Sequence, residues 1–127
     1  MATNALFKAD DYISVNVGIG HASGEPFVKG ALVGVLTTGS GDNQTPARDG
    51  YKQGVGNKPG WASVALYGGF RVPVPAGTTY DVGDIVYITP GATLTKTATG
   101  NTRFGVVTHE PKTVATGAGT VVVKIGY

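Results

Sequence analysis

The chain has no cysteine. That excludes disulfides, thiolate nucleophiles and Cys-ligated zinc or iron–sulfur centres together. Charge is scarce as well: Asp, Glu, Lys and Arg make up 14% of the residues, against about 25% in an ordinary domain. The ten basic residues are scattered from Lys8 to Lys124 without a cluster, whereas a nucleic-acid binder concentrates them on one stripe. No nucleic-acid partner is expected. Nor is there an apolar run near the roughly 20 residues of a membrane helix. The start, Met1-Ala-Thr-Asn-Ala-Leu-Phe-Lys8, lacks the basic-then-apolar order of a secretory signal. A soluble protein without a membrane partner is expected.

Long helices are missing too. Nowhere do apolar residues recur at i, i+3, i+4, i+7 over three turns, and glycine and proline interrupt the chain too often. What the chain has instead is glycine, 21 of 127 residues, against a usual share of about 7%. The remaining runs are rich in Thr, Val, Ile and Tyr, which suit a pleated surface. Tyr12-Ile-Ser-Val-Asn-Val17 alternates, with Ile13, Val15 and Val17 on one face. Gly18–Gly24 is a turn. Phe27-Val28 and Ala31-Leu-Val-Gly-Val-Leu36 follow, and the continuous apolar character of the second predicts cover on both faces. Trp61–Tyr67 resumes a strand with Trp61 expected in the core, Gly68-Gly69 reads as a turn or bulge, and Phe70-Arg-Val-Pro-Val74 alternates again. Pro73 cannot donate to a ladder, which places that strand at an edge or bulge. Val82-Gly-Asp84, Pro90-Gly91, Thr99-Gly-Asn101 and Ala118-Gly119 then punctuate strands at Ile85–Thr89, Thr93–Lys96, Arg103–Thr108 and Thr120–Ile125. Regularly spaced strands with turn signals between them predict an all-β fold, a single small β-barrel or sandwich. Residues 1–10 are expected as an extended N-terminal arm. Residues 11–127 are expected as the β-barrel domain, with a long glycine-rich loop inserted at 38–60.

Catalytic chemistry finds little to work with. His21 sits in a glycine turn, and His109 adjoins Glu110 without metal-ligand spacing. Gly18-x-Gly20 and Gly54-x-Gly56 are not phosphate-loop patterns. Ser23 is not in a nucleophile elbow. Asp10-Asp11 lacks the spacing of a calcium loop. Asn43-Gln-Thr45 matches a glycosylation pattern by chance. We therefore expect no enzyme activity, no metal and no cofactor. The segment with functional character is the loop 38–60, because it carries Arg48, Tyr51, Lys52 and Lys58, and Tyr and Arg are common interface anchors. An alternative use of Tyr51, Trp61 and Tyr67 is a stacking platform, as in a carbohydrate- or receptor-binding module on a virion or cell surface.

An ordered set of pieces carries a resemblance. Tyr12-Ile-Ser-Val15 comes first, then Ser23-Gly-Glu-Pro-Phe-Val28, Gly34-Val35 and Gly69-Phe-Arg-Val-Pro-Val74. Val82-Gly-Asp-Ile-Val-Tyr87, Gly100-Asn-Thr-Arg-Phe-Gly-Val-Val107 and Val121-Val-Val-Lys-Ile125 complete it. In order and spacing, over nearly the whole chain, this resembles the small capsid cement or decoration proteins of tailed phages. The resemblance implies a β-barrel with a flexible arm, made in the host cytoplasm and resident on the outer capsid surface of the virion. It implies a homotrimer at three-fold or quasi-three-fold positions that holds the major capsid protein together against internal pressure. Residues 39–60 are longer than the connection usual in that family. Extended arms gain affinity by adding a strand to an exposed edge, so Thr3, Asn4, Leu6, Phe7 and Lys8 are the expected capsid contacts, with Leu6 and Phe7 as apolar anchors.

Overall fold

The structure is a computed structural model that describes residues 12–41, 58–109, 112–114 (backbone) and 119–126. The arm, and most of the long loop, lie outside the described residues. Among those described there is no helix, hence none long and apolar enough to cross a membrane. The strands are β1 (Tyr12–Asn16), β2 (Pro26–Lys29), β3 (Leu32–Leu36), β4 (Trp61–Ala65), β5 (Gly68–Val74), β6 (Thr78–Tyr80), β7 (Ile85–Ile88), β8 (Leu94–Thr95), β9 (Thr102–Val107), β10 (Lys112–Val114) and β11 (Gly119–Ile125). They form a four-stranded antiparallel sheet in the order β1-β4-β3-β2 and a five-stranded one in the order β5-β11-β9-β7-β8. A short antiparallel pair, β10-β6, completes the set. One of the two main sheets is curled into a half-barrel. The free edges of the five-stranded sheet, β5 and β8, approach each other without a hydrogen-bonded ladder between them.

The sequence pattern explains these layers. In β1, Ile13 and Val15 face inward while Tyr12, Ser14 and Asn16 are exposed, the alternation a half-covered strand requires. In β3, by contrast, Gly34, Val35 and Leu36 are buried in succession. Consecutive strand residues point to opposite faces, so the second half of this strand is covered on both, whereas Ala31 and Leu32, expected to be covered too, are exposed. Val35 packs in the main core with Val72, Tyr80, Ile88, Phe104 and Val123. Leu36 packs on the other face with Phe27, Ala62 and Val64, flanked by Ile13 and Val15. The four-stranded sheet thus lies against the five-stranded one through β3 and β9. Thr102 Oγ1 donates to the Gly30 carbonyl at 3.3 Å across that junction.

Close approach in the five-stranded sheet depends on one glycine. Gly105 on β9 is flanked by Ile125 and Val86. A Cβ there would run into the Lys124 carbonyl oxygen and lie 2.6 Å from Val123 Cγ1. Next to it the β7/β9 register slips between Val86 and Tyr87, a bulge that increases local twist.

Several expectations are corrected. Trp61 starts β4 but is only half-buried and belongs to neither core cluster, because in this register it faces outward opposite Asn16. Gly68-Gly69 is not a turn. Both residues pair with β11, opposite Ile125 and Lys124, and Gly68 has φ +124°, which a side chain rarely adopts. Pro73 does sit on an edge strand, β5. The β6/β10 pair has no counterpart in the predicted strands.

Two stability outcomes follow. Gly105→Ala should destabilise by about 1–3 kcal/mol in urea unfolding, since backbone and not a mobile side chain blocks the added methyl. Tyr80 is fully buried in the main core, and its hydroxyl has no hydrogen-bond partner among the described residues. Removing an unsatisfied buried polar atom is neutral or favourable, so Tyr80→Phe should leave the unfolding midpoint unchanged or raise it by up to about 1 kcal/mol. Tyr80→Ala should cost about 3–5 kcal/mol.

Candidate functional site

The best-formed concavity lies where the half-barrel fails to close. Its volume is about 500 Å³, within the range of small binding clefts. One wall is the end of β5 with Pro73, Val74 and Pro75, and the opposite wall is the Gly91–Leu94 turn into β8. Edge strand β2 floors it with Pro26, Phe27 and Val28. All three bordering edges are blunted against strand addition. Pro26 opens β2, Pro73 interrupts β5, and β8 is two residues long. Proline has no N–H to offer a ladder, and short edges resist pairing.

The β8 lip carries backbone strain. Ala92 has φ 64°, a left-handed conformation uncommon for a residue with a Cβ. The turn holds it there: Ala92 N donates to the Thr89 carbonyl at 2.9 Å and Thr93 N to Thr89 Oγ1 at 3.1 Å. The result sets the Ala92 methyl between the main core and the cleft.

Polar groups gather at one end. His21 Nδ1 lies 3.3 Å from Glu25 Oε2, and the same oxygen accepts from Ala22 N at 2.7 Å. Both side chains are more than two-fifths exposed. Among the described lining residues Glu25 is the one carboxylate, and none is a lysine or arginine. The His21 backbone is fixed to buried Ser40: His21 N donates to Ser40 Oγ at 3.0 Å and Ser40 N to the His21 carbonyl at 2.9 Å. Gly60 N donates to the Gly41 carbonyl at 3.1 Å, and Val17 N to the Gly60 carbonyl at 3.0 Å. The two described ends of the long loop are thereby closed on each other and tied to the turn that carries His21. Across the described residues no group of three or more histidines, aspartates or glutamates is placed to hold a metal ion.

The sequence-predicted contacts divide as follows. Thr3, Asn4, Leu6, Phe7 and Lys8 of the arm, and Arg48, Tyr51 and Lys52 of the loop, lie outside the described residues. Lys58 is described: it is exposed, with Nζ 5.7 Å from the Trp61 ring centroid, a cation–π contact at the loop's foot. His109 is exposed, its Nδ1 3.0 Å from Thr108 Oγ1, and is not among the residues that line the cleft. The cleft itself was missed by sequence reasoning. It joins residues from positions 17 to 94 whose only local signals are prolines.

A second polar cluster ties β6, β7 and β8. Lys96 Nζ lies 2.9 Å from Asp84 Oδ2 and donates to the Thr79 carbonyl at 3.0 Å. Asp84 Oδ2 also accepts from Asp81 N at 2.9 Å. That backbone hydrogen bond, then Lys96, holds the Asp84 carboxyl below its ordinary value near 3.8. Asp84 in turn holds the Lys96 ammonium above its ordinary value near 10.5. Burial pushes the Tyr80 phenol up. No family model, no curated protein and no solved structure matches this chain.

The Asp84 carboxyl has a lower pKa folded than unfolded. Its contribution to stability is therefore present above its ordinary pKa of 3.8 and lost as pH falls through the lower folded value. Asp84→Asn should flatten the decline of the urea midpoint with pH below 3.8 and leave its salt dependence weaker at pH 7. An unaltered acid slope in that variant would show the pair to be incidental.

Proposed function

We propose that the protein is a capsid decoration protein that binds the outside of an expanded phage head and strengthens contacts between major capsid protein subunits. The observation that carries this reading is where the resembling pieces fall. Gly69–Val74, Val121–Ile125, Arg103–Val107 and Ile85–Tyr87 lie on β5, β11, β9 and β7, which are consecutive neighbours in one sheet. Four of the seven pieces thus share one sheet, and the other three, Tyr12–Val15, Ser23–Val28 and Gly34-Val35, fall on or beside β1, β2 and β3 of the other. Low charge supports the reading, because few ions must be desolvated when a broad surface docks. The blunted edges around the cleft support it too, since a protein displayed at high local density must resist edge-to-edge pairing. A homotrimer would multiply weak contacts through effective concentration. The arm residues Leu6 and Phe7 are the proposed capsid anchors.

One observation favours a second reading, a surface module that binds glycan. Trp61 is placed outward on β4 opposite Asn16, an aromatic and an amide side by side.

Co-sedimentation with expanded, undecorated heads, against unexpanded proheads, separates the two. Saturable binding to expanded heads alone is the expected result, and deletion of residues 2–8 should abolish it while leaving the circular dichroism of the sheet unchanged. Failure to bind either particle, together with quenching of Trp61 fluorescence by an oligosaccharide, would transfer the function to the glycan module.

A further inference from the structure

We infer that the cleft between β2, β5 and β8 is a binding site for a small organic cation, a primary ammonium group on an apolar body about the size of one aromatic ring. Such binding is a property of the free protein and does not depend on the capsid reading.

Size and walls define the body of the ligand. A volume of about 500 Å³ is that of a small-molecule site, in which apolar walls carry a few polar groups that fix orientation. Phe27 and Val28 floor the cleft, Pro73 and Pro75 stand on one wall, and Ala92 and Leu94 on the other. Both prolines are exposed while Val74 between them is buried. A ring set between these walls removes apolar surface from water on both partners.

Charge defines the head group. Among the described lining residues there is one carboxylate, Glu25, and no lysine or arginine. An anion would meet that carboxylate with no fixed positive charge to balance it. The carboxylate is held in place before any ligand arrives. Its Oε2 accepts from Ala22 N at 2.7 Å and lies 3.3 Å from His21 Nδ1. The Glu25 backbone is tied at both ends: its N donates to the Ala22 carbonyl at 3.4 Å, and its carbonyl accepts from Leu36 N at 2.9 Å. These contacts leave Oε1 without a donor among the described residues. An ammonium carries three donors and no acceptor, and a neutral imidazole or a hydroxyl can accept as well. His21 and Thr93 bring those two groups to the lining.

The β8 lip points the same way. Ala92 has φ 64°, a conformation that glycine adopts without cost. What alanine adds there is a methyl group, and that methyl borders the cleft.

The test is a titration of the full chain with phenethylammonium, followed by amide chemical shifts. The Val28, Ala92 and Leu94 amides should shift together and saturate. Phenethyl alcohol and hydrocinnamate carry the same ring on a neutral or a negative head, and should bind about threefold to tenfold more weakly. Alkylammonium ions lengthened from butyl to hexyl should bind about twofold to fourfold more tightly per methylene. Glu25→Gln keeps an oxygen for Ala22 N. It should abolish the preference for ammonium over alcohol and leave the affinity for the alcohol unchanged, an outcome that misfolding cannot imitate. Ala92→Gly should weaken phenethylammonium about twofold with a thermal midpoint at or above that of the wild type. Equal affinity for the three head groups, a preference for ammonium that survives Glu25→Gln, saturating shifts confined to other strands, or no saturation at millimolar phenethylammonium would each overturn the proposal.

Discussion

The structure depends on the second half of β3, Gly34 to Leu36, being buried on both faces. Val35, 2% exposed, enters the core shared with the five-stranded sheet, and Leu36, 3% exposed, enters the cluster on the opposite side. Two successive residues of one strand therefore hold two apolar layers in register. A chain with few charges and no disulfide has few other means of joining two sheets. Slipping β3 by one residue would exchange its two faces. Gly34 stays small because a Cβ would lie 2.5 Å from the Ala65 carbonyl oxygen, so β3 and β4 can approach closely.

The cleft follows from the same arrangement. With β3 committed to the junction, β2 becomes a free edge and lies across the opening left between β5 and β8. Prolines in β2 and β5 keep those edges from recruiting strands. What remains is an apolar concavity with one acidic end, stapled through His21 and Ser40 to the foot of the long loop. Among the described residues the polar side chains that line it are His21, Glu25 and Thr93.

Much of the fold was legible because its determinants are local. The alternation of Ile13 and Val15, the unbroken Leu32–Leu36 run, and the Val82-Gly-Asp84 turn each specify an element by itself. Pro73 marked an edge for a purely local reason, its missing N–H. The β6/β10 pair was not legible. Three-residue strands such as Thr78–Tyr80 carry no period, and Lys112–Val114 lies more than thirty positions away along the chain. Trp61 misled because size argues for burial, whereas register placed its neighbours Ala62 and Val64 inward. The cleft was invisible for the same reason as β6: it exists only where three distant edges meet.

The claim that two sheets form one cooperative unit through β3 is tested most directly by unfolding with two probes. The single tryptophan, Trp61, reports on the four-stranded sheet. Amide exchange on β9 and β11 reports on the five-stranded one. The account predicts that the two transitions coincide in urea, and that Val35→Ala and Leu36→Ala each move both together. Separate midpoints, with the Trp61 transition at lower urea and β9 and β11 still protected, would contradict it.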